Sequence, residues 1–111
     1  MNIHVVVTFQ FEGFHNWPGC PLPEVSFLEE RHRHIFHVKA YKPVSHDDRD
    51  VEIILLKRSM LLFISTFGHL HGPAELGSMS CEMLAKELIN HFDLSQCEVL
   101  EDGENGAAVT A

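Results

Sequence analysis

The chain opens on an alternation. From Ile3 to Phe11, the residues Val5, Val7, Phe9 and Phe11 fall on one side, and His4, Val6, Thr8, Gln10 and Glu12 on the other. That two-residue period predicts a strand with one buried face. The same parity carries His15 onto the apolar side, unless Gly13 marks a bulge. Trp17-Pro18-Gly19-Cys20-Pro21-Leu22-Pro23 holds three prolines and a glycine, so it cannot be a regular element. Glu24 to Arg31 is compatible with a short helical turn or with a loop. A second strand is predicted over roughly His32 to Lys42, with Phe36, Val38 and Ala40 sharing a face.

A polar turn, Pro43 to Asp50, leads to Val51-Glu52-Ile53, read as a short strand feeding a helix over about Ile54 to Phe67. Ile53, Leu56, Met60, Phe63 and Phe67 follow helical spacing. Gly68 to Gly77 reads as a loop. A second helix starts near Met79 or Ser80, with Ser80 as N-cap, Glu82 in the first turn, and Cys81, Leu84, Ala85, Leu88 and Phe92 as its buried stripe. Glu98 to Leu100 and Ala107 to Thr110 read as two closing strands around the turn Asp102-Gly103-Glu104-Asn105-Gly106. This order predicts one α+β domain over residues 1–111: an antiparallel four-stranded sheet with two helices packed on one face. So small a sheet is expected to protect its edges by oligomerising.

Composition narrows the function classes. A net charge of −8 argues against nucleic-acid or anionic-membrane partners, which need clustered Lys and Arg. The apolar run from Met60 to Ile64 is too short to span a bilayer. An odd cysteine count, Cys20, Cys81 and Cys97 with no CxxC pair, suits a reducing compartment. The start carries no signal-peptide pattern, so a cytoplasmic protein is expected.

Nine histidines are the compositional anomaly. His32 and His34 are two apart at the start of the second strand, so they project to the same side. With a third histidine from elsewhere, such a pair builds a three-nitrogen zinc site with an open fourth position. The competing reading is a histidine-rich edge strand that meets water. His37 alternates away from the pair, His4, His46 and His91 have no ligand-like partner in sequence, and Cys81 and Cys97 read as small core residues.

Five segments, in chain order, resemble the 6-pyruvoyltetrahydropterin synthase and 6-carboxytetrahydropterin synthase family, built on the tunnelling fold. Phe11-Glu12-Gly13-Phe14-His15 is similar to that family's Phe-x-x-x-His, and His32-Arg33-His34-Ile35-Phe36 to its His-Gly-His-Asn-Tyr/Phe. Val51 to Lys57 keeps the spacing of the segment entering the first helix, and Met79 to Ala85 that of the second helix start. Glu101 stands where the family's last hairpin carries its pterin-anchoring Glu.

The resemblance implies an oligomeric barrel, a homohexamer made as a dimer of trimers, with sites between neighbours. It implies Zn²⁺ held by His15, His32 and His34, and a pterin substrate of the dihydroneopterin triphosphate type held by Glu101, with Ser80 as a further polar contact. Two departures bear on the chemistry. The family's catalytic Cys is replaced by Ser26 to Arg31, and a branch that uses Glu there is matched by the Glu29 to His32 spacing, making Glu29 the candidate base. The family's Leu-Asp-His relay becomes Phe67-Gly68-His69, which keeps His69 without its Asp. Arg33 replaces the Gly between two ligands, but on a strand it faces away from them. The implied activity is that of a zinc-dependent pterin-processing lyase. The alternatives are a non-catalytic zinc- and pterin- or purine-binding relative, and a structural protein whose histidines bind nothing specific.

Overall fold

The computed structural model describes residues 1–69 and 71–111; Leu70, inside the stretch read as a loop, lies outside the described residues. The elements run β1 (Ile3–His15), a 3-10 turn (Pro23–Glu29), β2 (His32–Val44), α1 (Ile53–Ser65), β3 (Ala74–Gly77), α2 (Cys81–Phe92), β4 (Gln96–Glu101) and β5 (Asn105–Thr110). The sheet has five strands in the order β3-β1-β2-β4-β5. It is mixed: β3 pairs parallel to β1, and every other pair is antiparallel.

The α+β class and the four longer strands agree with the alternation in the sequence, but the four-stranded, all-antiparallel sheet does not. The stretch read as a loop supplies the fifth strand. Ala74 and Leu76 are buried, Glu75 and Gly77 are exposed, and within the sheet the strand pairs with Gly13, Phe14 and His15 of β1. Four residues that follow Pro73 and end in a glycine carry too little alternation to stand out.

β1 and β2 pair over their whole lengths, from Ile3 with Val44 to His15 with His32. The register does not slip at Gly13, so the inward parity reaches His15. Directly opposed residues of an antiparallel pair share a face. Val7, Phe9, Phe36, Val38, Ala40, Cys97 and Val99 therefore form one apolar layer, and Leu56, Met60 and Ile64 of α1 with Leu84, Ala85 and Leu88 of α2 cover it. Thr8, Gln10 and Lys39, of opposite parity, are exposed.

Two local readings are corrected. Val51-Glu52-Ile53 is not a strand: Glu52 caps α1, its carboxylate accepting from the Ile54 and Leu55 amides at 2.7 and 3.1 Å. An acceptor at that position satisfies amides that the first helical turn leaves free. In the buried stripes, Ile64 takes the place of Ile53, which is 51% exposed, and Ile89 that of the half-buried Phe92. Among the described residues, no helix is long and apolar enough to cross a membrane.

Candidate metal centre

The apolar layer ends in histidines. His15 closes β1, and His32, directly opposite, opens β2. His34 lies two residues further along the same face. Their rings pack edge to face, with centroids 4.6 Å apart for His15 and His32, 5.4 Å for His15 and His34, and 5.0 Å for His32 and His34. Glu101, the last residue of β4, pairs with Phe36 and brings its carboxylate to the same place. One ligand atom from each of His15, His32, His34 and Glu101 lies within 4.8 Å of the others, and this group could hold a metal ion.

Each imidazole is oriented from behind by a different element. His15 Nδ1 lies 2.9 Å from the Met79 carbonyl, in the turn between β3 and α2. His32 Nδ1 lies 2.8 Å from the Glu30 carbonyl, just past the 3-10 turn. His34 Nδ1 lies 2.8 Å from Asp102 Oδ2, in the β4–β5 hairpin. All three partners can only accept, so each Nδ1 carries the proton and donates it. Each Nε2 then presents a lone pair, which is the tautomer a metal needs. Nε2 of His15 and of His34 are buried with no hydrogen-bond partner. Glu101 Oε2 is 2.9 Å from the first and 3.5 Å from the second, but neither contact has hydrogen-bond alignment. Two orphaned, inward-facing nitrogens beside a carboxylate are a donor set that fits a cation.

β3 accounts for part of this order. Asn16 N donates to the Gly77 carbonyl at 2.9 Å, and Met79 N to the Leu76 carbonyl at 3.1 Å, so the end of β3 sets Met79 over His15. The Arg31 guanidinium binds the Glu75 carboxylate and stacks on Phe14, 3.6 Å from the ring centroid. That ion pair holds Glu75 below the ordinary carboxylate range and raises Arg31.

Beside His15 and His32 opens a cavity of about 400 Å³, lined also by Asn16, Trp17, Leu28, Met79, Ser80 and Met83. Ser80 is the N-cap of α2, its Oγ accepting from Met83 N at 3.2 Å, and it faces this cavity. Glu101 is not among the residues that line it. Glu29 is turned away: Gly19 N donates to its carboxylate at 3.3 Å, and its carbonyl accepts from the Asn16 amide at 3.0 Å. His69 is exposed and lines a separate cavity of about 330 Å³ with Phe11 and Arg58. The structure thus brings His15, His32, His34 and Glu101 together and leaves Glu29 and His69 outside the group.

Strand alternation sends Asp102 away from Glu101 and makes its replacement nearly silent, but the structure turns its carboxylate onto His34 Nδ1 at 2.8 Å. It also accepts from Ile35 N at 3.0 Å, and its own amide donates to the Ile35 carbonyl at 2.7 Å. The Ile35 amide and then His34 hold its pKa below the ordinary range. A backbone φ of 56° turns the chain at Asp102, so strand alternation does not govern where its side chain goes. Acids in succession at a hairpin turn were the one available signal. The Met79 and Glu30 carbonyls leave no trace in a sequence. No protein-family model matches this chain, and no curated protein does either.

Proposed function

We propose that this protein is a zinc-dependent, pterin-processing lyase acting on a substrate of the dihydroneopterin triphosphate type. The reading is carried by one observation: three imidazoles, each with its Nδ1 engaged, offer ligand atoms within 4.8 Å of one another beside a cavity. Three imidazole nitrogens and a carboxylate suit zinc among the common divalent metals. The pterin part rests on the sequence resemblance described above. Zinc would supply Lewis acidity to an oxygen of the bound side chain. Met79, Glu30 and Asp102 would keep the three rings in the ligating tautomer. Trp17, Leu28 and Met83 offer an apolar wall for a planar ring, and Asn16 and Ser80 offer polar contacts. Glu29 would act as base from the segment whose neighbour Leu28 lines the cavity, once its carboxylate leaves Gly19.

A second reading, a non-catalytic zinc- and pterin- or purine-binding protein, is favoured by the placement of Glu29 and His69 outside the histidine group. Zinc analysis and turnover separate the two. About one zinc per chain, lost in His15→Ala, His32→Ala or His34→Ala but not in His37→Ala, supports both. Conversion of dihydroneopterin triphosphate that falls in Glu29→Ala selects the lyase. Pterin binding without conversion selects the second reading, and wild-type protein that holds no zinc refutes both.

The reading includes self-association as a homohexamer. β3 covers only the last three residues of β1, leaving the edge from Ile3 to Glu12 unpaired within the described residues, and β5 has a free outer edge. Ile54, Leu55 and Leu62 of α1 are each more than half exposed, at 56, 60 and 62%. The radius of gyration is 15.0 Å, against about 13 Å for a compact domain of this length. Open edges and apolar helix surface are what association would bury. A monomer by light scattering at micromolar concentration would refute this part.

A further inference from the structure

Glu101 meets His15 and His34 at ring nitrogens that have no hydrogen-bond partner. Their Nδ1 protons are committed to the Met79 carbonyl and the Asp102 carboxylate, so both Nε2 atoms offer lone pairs. Glu101 Oε2 nevertheless sits 2.9 and 3.5 Å from those two atoms. Lone pairs facing a carboxylate oxygen repel unless a cation lies between them. A metal ion can accept from both nitrogens, from His32 and from the carboxylate together.

Resting on the metal reading above, we propose that Glu101 is the fourth ligand of the metal in the ligand-free protein, and that it is the displaceable one. The three imidazoles are each tied from behind, whereas no hydrogen bond anchors the Glu101 carboxylate among the described residues. Its side chain is 29% exposed, against 9% for His15, so it has room to swing toward solvent. The cavity beside His15 and His32 gives an oxygen-bearing small molecule access to the histidine group. The site is closed, with four protein donors, until such a ligand displaces one. The released carboxylate is then free to accept N–H groups of that ligand, the role expected of Glu101 from the resemblance. The ligand class is a small molecule that presents an anionic or hydroxyl oxygen to the metal and paired N–H donors to Glu101.

Cobalt(II) reports the coordination directly, without any substrate. Chelator-stripped wild type, Glu101→Gln and Glu101→Ala are each loaded with one equivalent of Co²⁺ and titrated with azide while the visible absorption bands are followed. Both variants should respond to azide at a concentration about tenfold or more below that needed by wild type, because a protein ligand no longer competes. The same azide dependence in all three proteins overturns the role of Glu101 and leaves the metal centre standing. Wild type that takes up no cobalt overturns the metal centre and this proposal together.

Discussion

Asp102 Oδ2 lies 2.8 Å from Nδ1 of His34, and the preceding residue, Glu101, faces Nε2 of the same ring. One hairpin therefore grips one imidazole from both ends. The left-handed turn at Asp102 makes this possible, since a continuing strand would send adjacent side chains to opposite faces. A carboxylate behind a ligating histidine fixes its tautomer and raises its basicity.

Asp102→Ala should weaken metal binding about ten- to a hundredfold, the range seen when such supporting groups are removed. Asp102→Asn, which still offers an acceptor oxygen, should recover part of the loss. Competition against a chromophoric chelator measures both. Affinity equal to wild type in Asp102→Ala would show that the hairpin does not support His34.

Gly13 faces His34 across the β1–β2 pair. A Cβ there would stand 2.9 Å from Phe36 Cε2 and 3.2 Å from Phe11 Cε2. The Phe36 ring packs edge-on against His15 and His34, at centroid distances of 5.2 and 5.7 Å, so displacing it disturbs two ligands. Gly13→Ala should cost about 1–3 kcal/mol in stability through overpacking. It should also lower metal affinity, whereas Gly19→Ala, whose Cβ meets nothing, should not change affinity. Urea denaturation and metal competition on the pair check this.

Burial pushes the Cys81 and Cys97 thiols up to about 12. At pH 8 only about one in ten thousand of either is thiolate. The folded protein should therefore show no more than one fast-reacting thiol toward an aromatic disulfide reagent, that of Cys20. Denatured protein should show all three. Rapid native reaction of two or three would contradict the packing of α2 against β4.

The Arg31–Glu75 pair ties β3 to the start of β2. Because Glu75 has a lower pKa folded than unfolded, its contribution is present above the ordinary glutamate range and is lost as pH falls through the folded value. Both side chains are about half exposed, so the effect should be small. Wild type should melt slightly above Glu75→Gln at pH 7, and the two curves should converge as pH falls below about 4. Thermal melts in matched ionic strength measure the difference. A gap that widened on acidification would place the stabilisation elsewhere.

The sequence by itself determined the long strands, both helices, the N-cap at Ser80, and the face that His15, His32 and His34 share. Alternation carries that information because a strand assigns each side chain to a face by parity, and the β1–β2 register runs unbroken to its last pair. Parity says nothing of what lies across the face. Tertiary structure decided that β3 joins the sheet, because its strand partners Gly13, Phe14 and His15 lie far away at the other end of the sequence. It decided that the Met79 and Glu30 carbonyls hold two of the ligands, since every residue has a carbonyl and only the fold aims one. It decided that Glu101 meets the histidines, through the pairing of β4 with β2. It also turned Asp102 onto His34, because a single left-handed residue ends the alternation from which its direction would have been read.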